Sequence, residues 1–149
     1  MAGLDDLYQL LEGLQPTLDK TPLVFSTGAN LAQVDLQQAG AIACIREAEG
    51  WTWVLPAESA RDLKLPYETE YCRISLMVHS SLEALGLTAT VSTLLTDAGI
   101  PANMIAGYYH DHLLVPVARA EQAQAILQDL SARARQASQL LQNNPEGSK

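Results

Sequence analysis

Apolar and polar positions along the chain follow two periods, one helical and one of strands. Leu4, Leu7, Leu11 and Leu14 recur at helical spacing, which predicts an amphipathic helix over Leu4–Leu14, ended near Pro16. Thr21–Thr27 (TPLVFST) is a short apolar strand. Gly28–Gln38 fits a loop, a turn of helix or a weak strand around Val34. Ala41–Glu47 (AIACIRE) and Trp51–Leu55 (WTWVL) read as two strands joined by Ala48-Glu49-Gly50, a hairpin in which glycine supplies the permissive backbone. Pro56–Leu63 then reads as a short helix, with Glu58 at its positive dipole end.

The second half repeats this plan more clearly. Tyr71–His79 (YCRISLMVH) is a strand, Leu82–Leu87 leads into a turn at Gly86, and a helix-like run over Thr88–Ala98 stops at Gly99. Asn103–Tyr108, the polar corner Tyr109–His112 and Leu113–Val117 form a tight hairpin pair. A last amphipathic helix opens near Arg119, carries Ala123, Ile126, Leu127 and Leu130 on one face, and continues through Gln136–Gln142. This βαββα order is most of a ferredoxin-like unit, which needs a fourth strand after its second helix. The polar tail Asn143–Lys149 cannot form a core strand. An early strand, Leu23–Ser26, is the candidate for that place, which would leave two units intertwined. The expected fold class is therefore α+β, two ferredoxin-like βαββαβ units with antiparallel sheets. The expected divisions are an N-terminal helix over 1–19, a first unit over 20–68, a second over 69–135, and a helix end with a disordered polar tail over 136–149.

Composition removes several classes. Of the 149 residues 48% are apolar, enough for a packed core, and no long apolar run suggests a membrane span. The formal charge of −8, with nine scattered basic residues, argues against nucleic acid. The N-terminus carries acids and no base, unlike a signal peptide. Cys44 and Cys72 sit inside apolar strand-like runs, as small buried hydrophobes do, so a reduced, cytoplasmic setting is expected.

Catalytic patterns are missing. Ser80 and Ser81 follow a histidine but no GxSxG elbow surrounds them, and Cys72 lies mid-strand. His110 and His112 alternate as strand neighbours, yet HExxH or paired CxxC spacing is lacking, so they read as surface polar residues rather than metal ligands. Trp51 and Trp53 share one strand face and read as core or interface, with core favoured, and Tyr108-Tyr109 flank the hairpin corner. The loop Ser80–Thr88 differs, because it joins a strand to a helix start, where backbone N–H groups lack internal partners and the dipole is positive. Gly86 allows a sharp turn and close approach of a ligand, and Thr88 can cap the helix. The plain reading is a capped helix after a tight turn. The functional one is a carboxylate or phosphate site, with Asn103–Ile105 backbone holding a second polar group such as an amine.

Three strings, HSSLEALGLT at His79–Thr88, LLTDAGIP at Leu94–Pro101 and NMIAGYYHDHLLVPV at Asn103–Val117, resemble a bacterial family of small tandem ACT-domain proteins. REAEGWTWVLP at Arg46–Pro56 matches that family's N-terminal unit less specifically. More distantly, the second unit is similar to the regulatory domains of aspartate kinases and to eukaryotic cytosolic arginine sensors. The resemblance implies a ferredoxin-like ACT fold used twice, binding amino acids and altering a partner or the assembly. It implies a ligand held between two units, against the loop after the first strand and the start of the next. Carried onto this chain, the ligand-binding residues are Ser80, Ser81, Leu85, Gly86, Leu87, Thr88, Asn103, Met104 and Ile105. No catalytic residue, metal or cofactor is implied, and the expected partners are an amino acid, a second copy and an unidentified regulated protein. Glu83 weakly favours a basic or amino-bearing ligand, and a bulky residue at Gly86 should abolish binding while leaving the fold largely intact. The competing class is a ligand-free interaction module whose sheet edges pair into a dimer.

Overall fold

The computed structural model describes residues 2–28 and 35–143, so Val34 and the polar tail from residue 144 lie outside the described residues. Helix α1 (Ala2–Glu12) is followed by strand β1 (Pro16–Thr27), which is longer than the apolar run TPLVFST suggests. Proline lacks an amide hydrogen and starts a strand without losing a ladder bond. Asp19 and Lys20 interrupt the apolar signal at the place where the strand bulges, and there the Thr21 amide donates to Asp19 Oδ1 at 2.9 Å.

Further along lie β2 (Ala43–Arg46), β3 (Trp51–Pro56), α2 (Ala57–Asp62), β4 (Tyr71–Leu76), α3 (Leu87–Asp97), β5 (Asn103–Ala106), β6 (Asp111–Pro116) and α4 (Ala120–Asn143). The β2–β3 turn closes as expected, with the Glu47 amide on the Gly50 carbonyl at 2.8 Å. Strand β4 ends at Leu76, short of His79, because the Met77 amide turns to the Leu14 carbonyl at 3.0 Å. Asp111 and His112 belong to β6 and not to the corner before it.

All six strands form one antiparallel sheet in the order β2-β3-β1-β4-β6-β5. The first half of β1 faces β4, with Pro16 opposite Leu76 and Asp19 opposite Arg73. After the bulge the second half faces β3, with Leu23 opposite Pro56 and Thr27 opposite Thr52. The second unit thus takes its fourth strand from β1, beside its own β4. Most of that strand is Pro16–Asp19, ahead of the expected Leu23–Ser26, of which Leu23 alone pairs with β4, opposite Tyr71. Strand β4 in turn stands in the fourth place of the first unit. Each central strand therefore serves both ferredoxin-like units, and the two are intertwined.

Register assigns the two faces. Leu23 and Tyr71 are opposite and share one face, so Val24 and Cys72 share the other. That second face carries the helices. Ile74, Leu76, Leu113 and Val115 meet Leu11, Leu14, Val91, Leu95, Ala123 and Leu127 in one cluster. Val24, Trp53 and Leu55 meet Ala57 and Ala60 of α2 in another, with Trp51 and Cys44 against it. The helix-free face holds Leu23, Val54 and Leu114, screened by Phe25, Tyr71 and Ile105. Side-chain bonds lock the layers. Ser131 on α4 donates to the Glu12 carbonyl at the end of α1 (3.0 Å), Gln124 donates to the Pro16 carbonyl (3.1 Å), and Arg119 satisfies the Ala98 and Gly99 carbonyls at the end of α3. Among the described residues no helix is long and apolar enough to cross a membrane.

Candidate functional site

The loop between β4 and α3 is shaped by its own short-range bonds. Ser81 Oγ accepts from the Glu83 amide at 3.1 Å, and its carbonyl accepts from the Ala84 amide at 2.9 Å. Gly86 then takes φ +94°, in the left-handed region, and enters α3 as its cap residue. The helix so begins at Leu87, and Thr88 lies within the first turn instead of capping it. Among the described residues no side chain caps α3, and Thr90 Oγ1 donates back to the Gly86 carbonyl at 2.7 Å. The first-turn amides of an eleven-residue helix thus lack a side-chain acceptor.

Helix α1 lies over this turn. A Cβ built on Gly86 would stand 3.1 Å from Leu7 Cδ2, so the glycine admits α1 as much as it could admit a ligand. Between α1 and the loop runs a cleft of about 530 Å³, lined by Gln9, Leu10, Val78, His79, Ser81, Glu83, Ala84 and Leu85. Of the sequence-predicted residues, Ser81 and Leu85 line it. Ser80 instead donates to Asp111 Oδ2 at 3.3 Å, Leu87 is buried in the core, and Thr88 is exposed. Asn103, Met104 and Ile105 are not brought to the loop. β5 runs parallel to β4, so Asn103 starts at the far end of the sheet, Met104 packs into the helix-side core and Ile105 on the opposite face.

The hairpin corner takes their place beside the loop. His79 and His110 rings meet at a tilt of 40° with centroids 4.9 Å apart, and His112 Nδ1 bonds Ser75 Oγ at 2.8 Å. His110 lies in the turn and His112 on β6, so they do not form the strand pair their spacing suggests. No three metal-ligating side chains converge among the described residues. Burial, then the nearby charges of Arg73 and His110, lowers the His112 pKa from its ordinary 6.5. The unfolded chain then binds more protons as pH falls through that range, so acidification destabilises the fold. Melting temperature measured at pH 7.5 and pH 5 should drop more in the natural protein than in His112→Gln. Equal drops would contradict this role. Burial likewise raises the Cys72 thiol, which leaves it a poor nucleophile.

A second cleft of about 580 Å³ opens on the helix-free face beside the Pro66–Thr69 segment, with Phe25, Thr27, Thr52, Tyr71 and Asn103 in its wall. Phe25 and Tyr71 meet edge to face at 5.5 Å, and Ser26 Oγ donates to the Pro66 carbonyl at 2.5 Å, pinning that segment. Of this cleft the sequence singles out Asn103 alone, and as part of the other site; it does not single out Gln9, Leu10 and Val78 in the first. Both depend on which distant segment folds over which strand, and no local pattern carries that.

ACT-domain models match residues 2–72 and 68–129. A Vibrio cholerae protein, VC0802, described as of unknown function and a possible transport protein, is 42% identical, with a TM-score of 0.76 over 87% of this chain and 98% of that one. Atu0741 from Agrobacterium tumefaciens shares the fold at 13% identity and TM-score 0.60, covering 74% of this chain and 83% of that one. So does the ligand-free regulatory subunit of aspartate kinase from Thermus thermophilus, at 10% identity and TM-score 0.57, over 79% of this chain and 97% of that one. No curated protein matches. The chain belongs to the ACT-domain proteins and carries two ACT units in tandem.

Proposed function

We propose that this protein is a non-catalytic regulatory sensor that binds an amino acid at the loop between β4 and α3. The observation that carries the reading is the uncapped start of α3 after Gly86, next to a cleft that holds both polar and apolar side chains. A carboxylate meets the first-turn amides and the positive dipole end there. Glu83, which lines the cleft, suits the ligand's ammonium, and Leu10, Val78 and Leu85 suit an apolar side chain. Binding would hold α1 against the loop and shift the population of states that a partner reads. Two ACT units in tandem and the likeness to an aspartate kinase regulatory subunit support a regulatory role of this kind.

Amide shifts on titration with single amino acids test the assignment. They should cluster at Ser80–Thr88. Shifts confined to the Phe25–Tyr71 cleft would move the site. Gly86→Val should abolish binding, and it should also cost stability, because a β-branched residue at φ +94° is strained by about 1–3 kcal/mol and crowds Leu7. Normal binding by that variant would refute the site.

The second reading, a dimerisation module, rests on the free edges β2 and β5. Antiparallel pairing of two β5 edges would set Asn103–Ile105 of one copy toward the loop end of the other, so this reading and the ligand site are compatible. Mass that rises with protein concentration and ignores metabolites would favour the module alone.

A further inference from the structure

Four large apolar side chains stand out at one end of the sheet. Leu82 is 72% exposed, Leu85 82%, Tyr108 84% and Tyr109 67%. They lie on two adjoining loops, the β4–α3 loop and the β5–β6 corner, held together by the tilted His79–His110 ring contact and the Ser80–Asp111 bond. The tyrosines are fixed against each other, rings edge to face at 5.0 Å, and the corner is closed by the Gly107 amide on the His110 carbonyl at 2.9 Å. Rigid exposed aromatics are the residue type that carries binding energy at interfaces, and a monomer rarely leaves so many together without use.

Charge decides what kind of partner fits. No lysine or arginine occurs between Arg73 and Arg119, and the acids at this end are Glu83 on the β4–α3 loop and Asp111 at the start of β6. A second copy docked on this end about a two-fold axis would set these acids against themselves, on chains that each carry −8. We propose that this end of the sheet docks a segment of a different protein, one presenting apolar anchors flanked by lysine or arginine. The proposal does not depend on ligand binding. Because one of its loops also borders the ligand cleft, ligand and partner would sense each other if both bind.

A random peptide display library selected on the whole protein, then tested against Tyr108→Ser and Leu82→Ser, examines this. Both residues are outside the ligand cleft and highly exposed, so melting should move by no more than roughly 2 °C. Selected peptides should combine aromatic or aliphatic residues with lysine or arginine, weaken with salt, and lose about tenfold or more in affinity for each variant. Peptides that are acidic or neutral, or that bind the variants unchanged, would overturn the proposal. Self-association removed by the same variants would overturn it too, by assigning the surface to a second copy.

Discussion

A fragment spanning residues 69–143 should show no cooperative thermal transition, although it contains every element that local sequence assigns to the second ACT unit. Its sheet would lack the strand beside β4, because Pro16–Asp19 of β1 fills that place. Its helix-side core would lose Leu11 and Leu14, both buried against β4 and α4. Unpaired strand edges and an open core together exceed the few kcal/mol by which small domains are stable. Circular dichroism against temperature is the check. A sigmoidal melt for the fragment alone would mean that the units are separable and that the shared strands are incidental.

Trp53→Ala should lower stability by about 3–5 kcal/mol, which for a chain of this size is a fall in melting temperature of roughly 6–20 °C. The indole is fully buried beside Val24, Leu55, Ala57 and Ala60, so its removal leaves a large cavity in that cluster. Its Nε1 has no partner among the described residues, so Trp53→Phe should cost much less. The form of the transition matters as much as its midpoint. Because β1 and β4 each belong to both units, the weakened first unit should still melt together with the second, in a single calorimetric peak. Two peaks, with only one displaced, would contradict the intertwined account.

The periodic parts of the fold were legible in the sequence. The hairpin around Gly50, the helix from Ala120 and the hairpin of β5 and β6 follow directly from alternation, turn residues and helical spacing. The missing fourth strand was also legible, as a deficit: a polar tail cannot complete a sheet. Its register was not, because Asp19 and Lys20 mask the strand that begins at Pro16, and pairing across the sheet leaves no local mark. At the site, Gly86 and its turn were readable from the residue type, and the placing of the α3 cap at Gly86, two residues before the expected Thr88, follows from its left-handed backbone. The cover of Leu7 over Gly86 and the distance of Asn103 from the loop were not readable, since both are set by packing between distant segments.

Thermal unfolding in the presence of the common amino acids, one at a time at millimolar concentration, tests the central claim most directly. A ligand at about 100 times its dissociation constant adds roughly 2.7 kcal/mol, a shift of about 5–10 °C. The account predicts one selective shift of that size, lost in Gly86→Val. No shift with any amino acid would contradict it and leave the dimerisation module as the better description.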